Sequence, residues 1–164
     1  MFEQIVTELA LEPYPRNCYG HYREVHRAQS SNESAKEARG ASTHIYYALR
    51  NADRSFMHKV DADEMYHFYL GSPIVVVELD ANESGHARST VVGSDVTSGQ
   101  RPFHAVKKGT WFGAYLLRDD TWALCGLTVS PAFVPEGFVA GKRKELLEEY
   151  PKAKEVILKL TESE

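Results

Sequence analysis

Cysteine is scarce in this chain: Cys18 and Cys125 are the only two among 164 residues, and they lie far apart. That count supports neither a disulfide framework nor a metal-ligand pair, so both are expected as buried, reduced thiols. Long apolar runs are missing as well. No segment approaches the ~20 residues of a membrane span, and the opening MFEQIVTELALEP has neither a charged leader region nor an unbroken apolar stretch. The expectation is a cytoplasmic protein without membrane contact. There is no excess of basic charge. The 19 basic and 23 acidic residues are spread along the chain, giving a net charge of −4. Without a basic stripe to neutralise a phosphate backbone, nucleic acid is not an expected partner.

The rest of the composition is ordinary globular composition, with 43% hydrophobic and 26% charged residues. The length suits one domain over 1–164. Phe2, Ile5, Val6 and Leu9 fall at helical spacing and Pro13 closes the stretch, which predicts an N-terminal helix within residues 1–12. Tyr19–Ala28 suits a strand, and the polar Gln29–Ser42 stretch reads as a mobile loop. Eight short β-rich runs then follow, from Ser42–Arg50 to Trp122–Ser130, separated by turn residues such as Asp61-Ala62-Asp63 and Lys108-Gly109. Short turns imply antiparallel neighbours, hence an all-β barrel or sandwich over 19–130. Leu146, Leu147, Val156, Ile157 and Leu160 predict a helical segment over 142–160 packed back on that body.

Functional side chains are densest between His58 and Gly71. Strand alternation sends Glu64, Tyr66 and Phe68 to one face and Met65, His67 and Tyr69 to the other, unless a bulge intervenes. A carboxylate beside imidazole or phenol can donate a proton or hold a metal, and burial would bring its pKa towards neutrality. A satisfied hydrogen-bond network on a half-exposed sheet would use the same residue types.

The spacing of Glu64, six residues and Gly71 resembles the first motif of the cupin superfamily. Phe56 stands where one cupin histidine would be, and His58 is the candidate for the other. Around the second motif, Gly109 is kept, while Lys107 and Phe112 replace the proline and the ligating histidine. The string Asp63-Glu64-Met65-Tyr66-His67-Phe68-Tyr69, with Tyr22-Arg23-Glu24, Gly109-Thr110-Trp111 and Tyr150-Pro151, is more similar to a subfamily of small stand-alone cupins, cupin family five. Arg16-Asn17-Cys18 departs from that pattern. The resemblance implies a cupin-type antiparallel β-barrel (a double-stranded β-helix or jelly roll), an open pocket in the barrel mouth, a homodimer, and likeness to sugar-nucleotide epimerases.

Three functions fit the residues. The first is a metal-independent epimerase or isomerase acting on a sugar or nucleotide-like small molecule, with His58, Glu64 and Tyr66 as catalytic candidates. Glu24, Tyr46, His67 and Trp111 are its ligand-binding candidates. The second is a metal-dependent dioxygenase or isomerase with His58 and Glu64 as ligands. The third is a ligand-binding or structural module without turnover. No cofactor is expected, although a weakly bound divalent metal is compatible with the residues.

Overall fold

The computed structural model describes residues 1–15, 19–29, 39–80 and 85–162. Cys18, most of the 29–42 loop and most of the 82–85 turn lie outside them. The N-terminal helix α1 (Phe2–Glu8) stops short of its expected limit. Ala10 adopts a left-handed φ of 47°, and the Leu11 and Ala10 amides donate to the Val6 and Thr7 carbonyls, closing the helix with a Schellman turn. The released chain forms β1 (Glu12–Pro13) against β2 (His21–Ala28).

The strands follow the sequence reading closely: β3 (Ser42–Arg50), β4 (Arg54–Val60), β5 (Asp63–Gly71), β6 (Ile74–Leu79), β7 (Ala87–Val92), β8 (Phe103–Val106), β9 (Phe112–Leu116) and β10 (Trp122–Ser130). An unforeseen β11 (Phe138–Ala140) pairs with β4, so the barrel continues beyond residue 130. The strands form two antiparallel sheets, ordered β1-β2-β3-β10-β5-β8 and β11-β4-β9-β6-β7. They pack face to face as a jelly-roll barrel.

Three apolar clusters hold this arrangement. Between the sheets, Leu49, Tyr66, Ile74, Val76, Phe112 and Leu127 belong to the largest. On the outside of the five-stranded sheet, Val75, Val77 and Leu79 pack under α2 (Arg143–Glu149) and α3 (Lys154–Lys159) through Leu146, Ile157 and Leu160. With apolar neighbours on both faces, β6 is buried along its whole length and reads as an unbroken apolar run apart from Glu78. The third cluster seats α1 on the six-stranded sheet, with Phe2 and Leu11 against Ala48 and Leu124.

Candidate functional site

Strand register fixes the inner face of the six-stranded sheet. Thr43, Val129 and Glu64 stand side by side on β3, β10 and β5; Ile45, Leu127 and Tyr66 form the next row, and Tyr47, Cys125 and Phe68 the row beyond. On β2, Glu24 lies beside Ile45 and Tyr22 beside Tyr47. Across the barrel, the register of β4 against β9 slips between Ser55 and His58. Such a slip resets the alternation of side chains. Ser55, His58 and Val60 therefore all line the same space.

That space is a cavity of ≈ 280 Å³ between the two sheets and the segment after β10, and it is partly open to solvent. Its wall is mostly apolar and aromatic, with Tyr14, Tyr19, Tyr22, Tyr47, Phe133 and Phe138 supplying rings. Glu64, His58, Ser55 and Thr43 bring polar groups to it, as does the pair Glu24 and Arg27. Two parallel hydrogen bonds of 2.9 Å join Arg27 to Glu24, and Arg27 also donates to the Phe133 carbonyl at 3.2 Å.

Glu64 is 6% exposed, and desolvation alone acts on its carboxyl, pushing its pKa up to about 8. It therefore stays protonated at neutral pH. His58 is 5% exposed, and burial pushes it down to about 4, so it stays neutral. Its Nδ1–H donates to the Phe56 carbonyl at 2.7 Å. A carbonyl only accepts, which fixes the tautomer and leaves Nε2 with its lone pair. The imidazole stacks on Phe138 at 5.0 Å and meets Phe112 at 4.2 Å.

Behind Glu64 the interior is short of acceptors. The hydroxyls of Tyr47 and Tyr66 are buried without hydrogen-bond partners. Burial holds both phenols far above their ordinary pKa; Ser55 lies near enough to oppose that rise without completing a hydrogen bond to either. Cys125, buried beside Glu64 and Tyr47, is raised in the same way and remains a thiol.

Of the residues singled out in the sequence, the structure brings Glu24, His58 and Glu64 together at the cavity. Tyr66 sits on the same inner face but is sealed at 0% exposure, beside Glu64 rather than at the cavity wall. Tyr46, His67 and Trp111 lie elsewhere. Tyr46 faces outward near α1. His67 is also on the outer face, where its Nε2 meets Thr128 Oγ1 at 3.0 Å and its ring lies 5.7 Å from His44. Trp111 packs beside the C-terminal helices with Lys59 over its ring at 4.5 Å. Tyr22, Arg27, Tyr47 and Ser55 were not singled out and do line the cavity.

A cupin-type metal would need more ligands than this site brings together. His58 has Phe112 against its face, and neither imidazole that could substitute for a missing ligand joins it: His67 meets Thr128 on the outer face, and His104 meets Glu78 at 2.8 Å. Among the described residues, no three His, Cys, Asp or Glu side chains converge to hold a metal ion. The donor set does not fit the group. No helix among the described residues is long and apolar enough to cross a membrane.

A profile of the "Cupin superfamily (DUF985)" matches residues 3–140. The chain belongs to the cupin superfamily. An X-ray structure of a Shewanella oneidensis protein superposes on this cupin with a TM-score of 0.87 at 30% identity, covering 99% of this chain and 98% of that one. A hypothetical protein from Leishmania major gives 0.85 at 25% identity, covering 98% of each chain. Oxalate decarboxylase from Bacillus subtilis gives 0.54 at 15% identity; 88% of this cupin matches 36% of that chain, a likeness of fold. The curated proteins contain no match.

Proposed function

We propose that the barrel cavity is a metal-independent acid–base site of the epimerase or isomerase class, acting on a small molecule. The observation that carries this reading is the pairing of Glu64 and His58. One carboxyl raised to about 8 and one imidazole lowered to about 4 share a cavity, so between those limits both are uncharged. Groups whose environments push their pKa values apart are the usual signature of an acid and a base. Glu64 then gives its proton to a carbonyl oxygen while His58 Nε2 takes one from the adjacent carbon. The resulting enol is neutral, and the charges left on the two side chains offset each other in the low-dielectric interior. Reversal returns both protons. The sugar-nucleotide epimerase class implied by the family resemblance uses chemistry of this kind on a carbon beside a carbonyl.

The mostly apolar wall also favours a second reading, retention of a ligand without turnover. Proton exchange separates the two. In D2O, acetophenone, dihydroxyacetone and a nucleotide-linked 4-keto sugar are incubated with the protein and followed by NMR. At least one should gain deuterium beside its carbonyl faster than without protein, and Glu64→Gln should cut that rate on the order of 100-fold, the scale of a lost general acid. If none of the three exchanges above the uncatalysed rate, the acid–base reading fails.

A further inference from the structure

We infer that the cavity selects a small, uncharged carbonyl compound of about one ring, and that nucleotide-linked ligands are excluded from it. This deepens the acid–base reading by naming the substrate class, and it rests on that reading for the role of the carbonyl. Four observations support it.

Size sets the first limit. A cavity of ~150 Å³ holds a benzene molecule, and this one, at ≈ 280 Å³, has room inside for a substituted ring, so most of a base, a ribose and two phosphates together would have to stay outside its mouth. Charge sets the second. Arg27 is the one lysine or arginine lining the cavity among the described residues, and both of its bonds to Glu24 are already made at 2.9 Å. A phosphate or carboxylate entering here would shed its water against rings and aliphatic side chains, with no free cation among the described lining residues to receive it.

The third observation is the floor. Among the described residues, Glu64 has no cation beside it and no hydrogen bond holding its charge, so it presents an O–H donor to whatever occupies the cavity. Tyr66, its hydroxyl unpartnered, and the Cys125 thiol lie beside it, so among the described residues no charged group faces Glu64 there. A carbonyl oxygen is a neutral acceptor that satisfies such a donor, and the acid–base reading selects it over a hydroxyl or ether oxygen. Finally, a ligand cation would have to ionise the buried Glu64, creating an ion pair against the burial that keeps the carboxyl neutral.

The test compares five probes on the native protein at pH 6.5 by calorimetry and NMR: acetophenone, its carbonyl-free analogue ethylbenzene, the anion phenylacetate, the cation 1-phenylethylamine, and UDP-glucose. Acetophenone should bind at least tenfold more tightly than each of the others, with shifts confined to residues around Glu64, His58 and Tyr47. Glu64→Leu should bring the ratio of acetophenone to ethylbenzene affinity close to one. If that variant fails to fold, the native comparison still decides. Phenylacetate or UDP-glucose binding as tightly as acetophenone, or no saturable acetophenone binding, would overturn the inference. Acetophenone that binds without deuterium exchange sinks the acid–base reading on this ligand and keeps the ligand class. Exchange on the nucleotide-linked keto sugar with acetophenone ignored does the reverse.

Discussion

Ser55 and His58 sit three residues apart on one strand and face the same cavity, because the β4 register slips between them. In a regular strand, side chains three apart point to opposite faces. The slip gives the barrel a buried imidazole opposite Glu64, and the two groups respond to pH in opposite directions.

Folding stability should report Glu64 directly. Its folded pKa, about 8, lies above the ordinary 4.5, so the native state binds a proton that the unfolded chain has lost across that interval. Stability contributed at this position is therefore complete below about pH 4.5 and declines as pH rises through about 8. Glu64→Gln mimics the protonated form and removes that decline. Urea titrations at pH 5 and pH 8 should show the variant gaining on the native protein by on the order of 3 kcal/mol over the interval. Equal pH dependence of the two would mean that Glu64 ionises freely in the folded state.

Tyr66 offers a test of the unpartnered hydroxyls. Its phenol oxygen is buried without a hydrogen bond, and Phe has nearly the same shape. Tyr66→Phe should raise stability by about 1 kcal/mol, the scale of an unsatisfied polar group removed from the interior. Because Tyr66 does not line the cavity, acetophenone affinity should stay within about twofold, an interval under 0.5 kcal/mol. Destabilisation of that same size would reveal a buried partner, such as an ordered water, held by the hydroxyl.

Much of the architecture was legible because the pattern and the physics agree locally. β6 is an almost unbroken apolar run covered on both faces, and β5 alternates from Asp63 to His67 as a half-buried strand does. The site was less legible. Glu24 and Tyr46 both suit a pocket by residue type, yet Glu24 pairs with Ile45 and Arg23 with Tyr46, so Glu24 and Tyr46 have opposite facings. Opposed residues in an antiparallel pair share a face. The β2–β3 register, which places Tyr47 and not Tyr46 on the face of Glu24, is set by pairing between strands and has no signature in the residues. The slip at Ser55 has no such signal in the residues, and β11 is too short to announce itself. His67 was drawn in by its nearness in sequence to Glu64, although alternation alone places it outside.

Assembly is a further proposal that the surface supports. Tyr69 on β5 and Phe103 on β8 lie on the outer face of the six-stranded sheet, 40% and 49% exposed, next to the pair His44 and His67, and Val25 on β2 is exposed as well. A second copy would cover this face in a homodimer. Light scattering at micromolar concentration should give twice the 18.5 kDa of one chain, and Phe103→Glu should return it to one. A monomeric native protein would refute the dimer.

Phe133, Pro135 and Phe138 close the cavity from a stretch that follows the last strand of the six-stranded sheet. A ribosome that has synthesised the chain only as far as Ser130 has already made Glu64, His58 and every motif residue around them. Phe138, the ring stacked on His58, does not yet exist. Water would reach both side chains, and the proton affinity of Glu64 would fall towards that of free glutamate while that of His58 would rise towards that of free histidine. The displaced acidity of the site thus belongs to the finished chain, and proton affinity at Glu64 becomes a measure of whether the C-terminal segment has docked.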